Sequence, residues 1–463
     1  MVDRLSGLDM SFLCLDGAER PMHMGAVLIF EPEEPTSAAR VARTLAHRAA
    51  RVPQLARTAR DTWLPFAGKV WAARPNRDVA GHVHTHALSE PGAPEQLERT
   101  VSALMAQPLE QGRPPWELHV LDGLSGGRFA VVIKMHHALA DAAGAISVVG
   151  SLLDGAEPCE TPADAGQRTL IDELLSWPAG ARRAGGQLAA DLAGGAPRLR
   201  ERAQRLAGVA AATATAARPR SLASPVTTLF GESPRREWTC VRLDGAELSR
   251  VRKYTGGTLH DVVLSVIAGG VGRWVREHKA GSAFYAEANP RAFIPVSMRR
   301  RRSAEGQVGN QLSGYLCELP ADATDPVERV HRVQEAMRRN KEHGPDSGAG
   351  AFPLLADAVP AGAHRLATRM LGRASPLLFD TMVSTVPLPN TPMRLDGAEL
   401  GTVQPVAPLA LGQALSIAVA VHRGDVQIGL LADPRVLPGV DGLRDDVAKA
   451  GAELRNAASA AEG

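Results

Sequence analysis

Apolar runs and helical stripes divide this chain into alternating short elements. Met24 to Phe30 reads as a strand and Ser37 to Arg51 as a helix, and Pro94 to Met105 predicts a second helix. Trp116 to Leu121 and Phe129 to Met135 are apolar runs joined by Asp122-Gly-Leu-Ser-Gly-Gly127. Gly and Asp between two such runs signal a hairpin. A helix-like run, Ala142 to Leu153, follows. Further on, Thr258 to His278 reads as a long, largely buried helix, and Phe293 to Met298 and Leu312 to Leu319 as strands. Val327 to Lys341 is helical, with Asp325-Pro326 as its start signal. Ala414 to Val421 and Val426 to Leu431 form a hairpin about Arg423-Gly-Asp425.

This pattern predicts a mixed α/β (α+β) fold in three stretches. Residues 1–155 and 226–463 each carry the same mixture, which allows two lobes of similar architecture. Residues 156–225 are Ala- and Arg-rich, with Leu170, Ile171, Leu174 and Leu175 at helical spacing. They predict a helical connector ending in the Pro-containing stretch Arg218 to Pro225. A solvated helix accounts for its arginines; attraction to anionic lipid or to the phosphates of a carrier is the sharper reading.

Composition narrows the function. At 463 residues and 44% hydrophobic, the chain can bury sizeable cores. A net charge of +2 and only 4% aromatics argue against a nucleic-acid partner. Cys14, Cys159, Cys240 and Cys317 form no CxxC pair, as in a cytosolic protein with reduced thiols. The chain shows neither a signal-peptide pattern nor an apolar run of membrane-spanning length. It reads as cytoplasmic, with at most peripheral membrane contact.

The strongest chemical signal is His136-His137 followed by Asp141, where the run Phe129 to Met135 meets the helix-like run from Ala142. An imidazole at a strand end suits a general base that takes a proton from a hydroxyl near neutral pH, and a carboxylate four residues on can hold the turn. Adjacent strand residues face opposite ways, so one ring faces the core and one a cavity, and a shared metal ion is not expected. Gly123-Leu-Ser-Gly-Gly127 matches GxSxG, but it lies between two strands rather than between a strand and a helix, so Ser125 is a turn residue. His82, His84 and His86 alternate, which on a strand puts all three on one face. Without a further ligand cluster, ordinary polar packing is the better reading than zinc. Arg299, Arg300 and Arg301, within the cluster Arg299 to Arg302, suit either CoA phosphates or a solvated loop.

Around the histidines stand Leu8-Asp-Met-Ser-Phe-Leu-Cys-Leu15, Pro21-Met-His-Met-Gly25 and Pro108-Leu-Glu-Gln-Gly-Arg-Pro-Pro-Trp116. Later come Phe293-Ile-Pro-Val-Ser-Met-Arg299, Gly309-Asn-Gln-Leu-Ser-Gly314, Ser384-Thr-Val-Pro-Leu-Pro389 and Gly412-Gln-Ala-Leu-Ser-Ile417. In this order they resemble the bacterial wax ester synthase/diacylglycerol acyltransferase family, of the CoA-dependent acyltransferases, over roughly Asp3 to Asp441.

The resemblance implies two chloramphenicol acetyltransferase-like lobes with a tunnel at their interface, acyl-CoA entering on one side and the alcohol on the other. It implies His137 as the base, His136 as supportive and Asp141 as mainly structural, with an arginine as its most plausible partner. Acyl-CoA is then a co-substrate rather than a resident cofactor, and no metal is required. Diacylglycerol or a long-chain alcohol is the acceptor such a family implies, met at a membrane or lipid droplet. Val262, Val263, Val266 and Ile267 are candidates for lining the acyl tunnel, with plain core packing the simpler role. The chain departs from the family pattern at three places. Ala142 follows the motif where glycine is usual. His260 precedes Asp261 where asparagine is usual, and its ring N–H can serve a developing oxyanion as an amide would. Thr385 and Leu388 replace Asn and Gly of Ser-Asn-Val-Pro-Gly-Pro. These departures open two other readings: the same chemistry with other partners, a specialised-metabolite hydroxyl or amine as acceptor or a carrier protein as donor, or a non-catalytic acyl-CoA- or lipid-binding paralogue.

Overall fold

The computed structural model describes residues 3–34, 36–61, 69–73, 79–155, 196–217, 233–278, 289–297, 312–345, 347–358, 364, 368, 377–410 and 412–462. The first lobe contains β1 (Asp3–Arg4), α1 (Gly7–Leu15), β2 (His23–Glu31), α2 (Ala38–Ala49), β3 (Arg57–Asp61), β4 (Lys69–Ala73), β5 (Val83–Ala87), α3 (Pro94–Ala106), β6 (Trp116–Leu124), β7 (Arg128–His136) and α4 (Ala142–Leu152). The connector contributes α5 (Ala196–Ala216). The second half contains β8 (Glu237–Asp244), α6 (Gly245–Thr255), α7 (Leu259–His278), β9 (Arg291–Ser297), β10 (Leu312–Glu318), α8 (Pro326–His343) and β11 (Thr381–Pro387). It continues through β12 (Arg394–Leu395), β13 (Ala398–Val406), β14 (Leu415–His422), β15 (Asp425–Ala432) and α9 (Val440–Glu462).

The helices start where their side chains can cap them. Ser37 accepts from Arg40 N–H ahead of α2, and Asp325 accepts from Val327 and Glu328 N–H ahead of the proline that opens α8. The hairpin β6–β7 turns through Gly123, Gly126 and Gly127, all at positive φ, and Ser125 accepts there from the Arg128 side chain. Ser125 is a turn residue, as its setting in the sequence predicts.

Two six-stranded sheets organise the molecule, in the orders β12-β13-β2-β7-β6-β5 and β10-β9-β11-β14-β15-β8; a three-stranded sheet, β1-β4-β3, flanks them. The first large sheet is not built from the first half alone. After β11 the chain crosses over, pairs β13 antiparallel to β2, and returns as β14, which lies parallel to β11. A parallel pair needs a long crossover, and here that crossover completes the other lobe's sheet. Residues 394–406 therefore belong in space to the first sheet, although the division at 226–463 groups them with the second lobe.

Each sheet buries apolar side chains on both faces. In the first lobe, Val41 and Leu45 of α2 and Val148 and Leu152 of α4 share one cluster with Leu118, Val131 and Ile133. On the other face, Leu97, Val101 and Leu104 of α3 pack with Val27, Val132 and, from the second lobe, Trp238 and Leu431. In the second lobe α7 is the central helix: Val262, Val263, Val266 and Ile267 are at most 2% exposed and pack among Val330, Val333 and Val447. Core packing, the simpler of the two readings of these side chains, is thus what they do. The glycines that interrupt this apolar run have a packing reason as well: a Cβ on Gly270 would stand 2.5 Å from a Val447 methyl. The described part of the connector is helical, and Arg291 fastens its end by donating to the carbonyls of Ala216 (2.6 Å) and Leu378 (3.0 Å).

The lobes meet through backbone as well as side chains. Thr239 donates to Glu98 (2.6 Å), and the Trp238 indole donates to the Pro405 carbonyl (3.3 Å). A Cβ on Gly429 would lie 1.9 Å from that same Pro405 oxygen, so β13 approaches β15 only because residue 429 lacks one. Gly429→Ala is expected to destabilise the protein by about 1–3 kcal/mol, read as a lower denaturant midpoint.

Candidate active site

The histidine loop is fixed by hydrogen bonds that bypass the His137 side chain. His136, the last residue of β7, stands opposite His23 of β2. The backbone continues the pairing one step further, with His137 N–H donating to Met22 O at 3.0 Å. The His136 ring turns back and accepts Ala138 N–H on Nδ1 at 3.0 Å, which puts the proton of its neutral form on Nε2. That nitrogen lies 3.8 Å from Asp16 Oδ1, which accepts Met22 N–H at 2.8 Å. Burial pushes His136 down to about 4 and raises the Asp16 carboxyl above its ordinary range. His136 is therefore a buried neutral strut.

The two rings part company here. His136 is 3% exposed, whereas His137 keeps part of its surface open and packs against Phe12 of α1, ring centroids 4.2 Å apart. Helix α1 is itself anchored. Ser6 and Asp9 cap it reciprocally, and the Ser11 hydroxyl lies 3.2 Å from that of Thr368 in the other half of the chain. The segments Leu8 to Leu15 and Pro21 to Gly25, with Asp16 between them, thus clamp the histidines through Phe12, Asp16 and Met22. No spacing rule in the sequence points to this; the only signal was that these segments accompany the histidine pair.

Burial also pushes His137 down to about 4, while contact with its own backbone carbonyl and the charge of Asp141 pull upward. At neutral pH the ring is in its proton-accepting form.

Asp141 is 1% exposed and caps α4, Oδ1 accepting Gly144 N–H at 2.8 Å. It ties the loop to the helix through this backbone bond. Ala142 is the first residue of α4, and the described non-glycine residues at positive φ are Asp396 and Arg423. Alanine is therefore unstrained at this departure from the family pattern. Asp141→Ala is expected to cost about 0.5–2 kcal/mol of stability and to reduce turnover by loosening the loop. Asp141→Asn should keep most of both, because asparagine also caps. Thermal melts and steady-state rates measured together check this.

On the second lobe, His260 is in the first turn of α7. Its neighbour Asp261 is buried and serves the helix start: Oδ2 accepts from the Thr258 N–H (2.9 Å) and hydroxyl (2.7 Å). His260 Nδ1 lies 3.2 Å from Thr385 Oγ1 on β11. Burial lowers the His260 pKa, with Asp261 opposing and Lys341 assisting. Three residues beyond Thr385, Leu388 packs against the hydrophobic cluster that contains Ala138 and Leu139, directly after His137. Arg299, Arg300 and Arg301 lie outside the described residues.

The other histidines settle into structure. His82 is in a turn before β5 and stacks on Trp116, with Nδ1 2.8 Å from the Trp116 carbonyl. His84 and His86 pack on His119, which the alternation of β6 puts on the opposite face from Trp116. The expectation of three imidazoles on one face is corrected: the strand begins at Val83, so His82 is outside its alternation. Among the described residues, no group of three or more His, Cys, Asp or Glu side chains is arranged to hold a metal ion.

Two six-stranded sheets that share strands between the lobes, with the His136-His137 pair at the end of β7, give the fold of a two-lobed acyltransferase. The chain belongs to the wax ester synthase/diacylglycerol acyltransferase family: the model of its catalytic domain matches residues 5–263, and that of its C-terminal domain residues 308–455. A putative diacylglycerol O-acyltransferase of Mycobacterium tuberculosis is 28% identical over 459 residues, covering 94% of this chain and 96% of the relative. The wax ester synthase/diacylglycerol acyltransferase of Marinobacter aquaeolei VT8 has the same fold, with TM-score 0.70, 22% identity, and coverage of 98% of this chain and 100% of that one. The trichothecene 15-O-acetyltransferase of Fusarium sporotrichioides shares it at TM-score 0.61 and 12% identity, covering 97% of this chain and 94% of that one.

Proposed function

We propose that this protein transfers an acyl group from acyl-CoA to the hydroxyl of diacylglycerol or a long-chain alcohol, with His137 as the base. The observation that carries the reading is the His137 ring, partly open, packed against Phe12 of α1 and followed by the turn that Asp141 caps. A substrate hydroxyl is almost wholly protonated at pH 7. A neutral imidazole can take its proton as the new C–O bond forms, worth on the order of 10² to 10⁴ in rate. The oxygen attacks the thioester carbonyl directly and the carbonyl becomes an oxyanion. That negative charge favours the imidazolium and raises the basicity of the ring at the moment it is needed. Collapse expels the CoA thiolate, which takes the proton back from His137; no net proton is released. His260 and nearby backbone N–H groups would stabilise the oxyanion, and one well-placed donor contributes roughly 10² to 10³.

No described helix is long and apolar enough to cross a membrane. With lipid acceptors the enzyme would meet its substrate peripherally, at a membrane or droplet surface. Incubation with radiolabelled palmitoyl-CoA and either diacylglycerol or hexadecanol should yield labelled neutral lipid. Absence of product with every lipid alcohol, alongside transfer to a polar hydroxyl or amine, would instead favour a specialised-metabolite acceptor. The altered second-lobe pair His260 and Thr385 keeps that outcome in view.

A further inference from the structure

Two departures from the family pattern, His260 and Thr385, are 125 residues apart in sequence and touch in space, with 3.2 Å between Nδ1 and Oγ1. Asparagine is usual at both places. An amide carries a donor and an acceptor at its tip; a neutral imidazole carries one of each on opposite edges, and a hydroxyl can supply either. A histidine that replaces one amide therefore needs a neighbour able to satisfy Nδ1 without crowding the longer ring. A threonine hydroxyl on a strand does this: Thr385 is paired in register with Val419 of β14, and its β-branched side chain suits that setting.

The rest of the surroundings agree. Nδ1 is the ring atom that faces Thr385, and Nε2 makes no hydrogen bond with a described residue and is not among the sealed, unpartnered atoms. The ring projects from the first turn of α7, where exposed N–H groups favour negative charge and disfavour imidazolium. The helix start is pinned by Asp261 and Thr258, so the ring has a fixed base.

We propose that Thr385 is a positioning residue for His260. Its hydroxyl donates to Nδ1, holds the ring in the Nε2–H tautomer, and so aims one N–H donor at the thioester oxygen as negative charge develops there. This rests on the acyl-transfer reading above. The reverse arrangement, with Nδ1–H donating to Thr385, would leave a lone pair on Nε2 and repel the oxyanion.

Histidine-selective ¹⁵N labelling of the whole protein, with His260→Asn to assign the resonance, reads the tautomer directly. The expected result is Nε2–H in the wild type, a mixture of tautomers in Thr385→Val, and recovery in Thr385→Ser. In turnover, Thr385→Val should lose about tenfold in kcat with KM for acyl-CoA little changed, and should lose nothing further in a His260→Ala background. Should Thr385→Val not fold, Thr385→Ala serves in its place. An Nδ1–H ring in the wild type, or equal losses with and without His260, overturns the proposal. A wild type that releases no thiol from acyl-CoA with any acceptor overturns the functional reading instead, and the tautomer measurement still decides the pair.

Discussion

Replacing His137 by alanine is expected to leave the fold intact and to lower acyl transfer by at least about a hundredfold. The loop does not depend on this side chain. It is held by His137 N–H on Met22 O, by Ala138 N–H on the His136 ring and by the Asp141 cap. Alanine therefore removes the base and little else, whereas at His136 the same change would remove a buried strut. Thiol release from acyl-CoA, followed in parallel with circular dichroism, separates chemistry from folding. A variant that folds and retains more than about a tenth of wild-type turnover would remove His137 from the mechanism.

The second large effect is loss of stability on mild acidification. Burial holds His23 at about 3 and His136 and His137 at about 4, far below the ordinary 6.5. Between 6.5 and those values the unfolded chain binds protons that the folded chain refuses. Stability is thus unaffected by these rings above pH 6.5 and falls as pH drops through the window, by about 1.4 kcal/mol per unit per histidine. Three rings together remove on the order of 4 kcal/mol per unit, against a typical total of about 5–15 kcal/mol. The raised carboxyl of Asp16 offsets part of this. Thermal midpoints should be flat from pH 8 to 6.5, decline below that, and end in cooperative unfolding near pH 4 to 5. The acid limb of activity then reports unfolding rather than titration of the base. His137→Ala should lower the slope by about a third, and a pH-independent midpoint down to pH 4.5 would contradict the buried neutral state.

Much of this architecture can be read from local chemistry. The hairpin β6–β7 follows from two apolar runs around glycines that must take positive φ, and α2, α4 and α8 begin at Ser37, Asp141 and Asp325. The His136-His137-Asp141 arrangement is local as well, since strand end, turn and helix cap are contiguous in the chain. Other features depend on partners distant in sequence. Trp116, not the alternation of β5, decides where His82 turns. Val447 and Val330 make core residues of valines that a helical pattern leaves open to a tunnel.

By itself, then, the sequence determined the elements, the family and the candidate base, because propensity, capping and motif spacing act over a few residues. Only the tertiary structure decided that β13 completes the other lobe's sheet, that Phe12 and Asp16 flank the histidines, and that His260 meets Thr385. The physical reason is chain closure. Those contacts join segments up to hundreds of residues apart, and their energy depends on the packing of whole sheets and helices rather than on any periodicity a single segment displays.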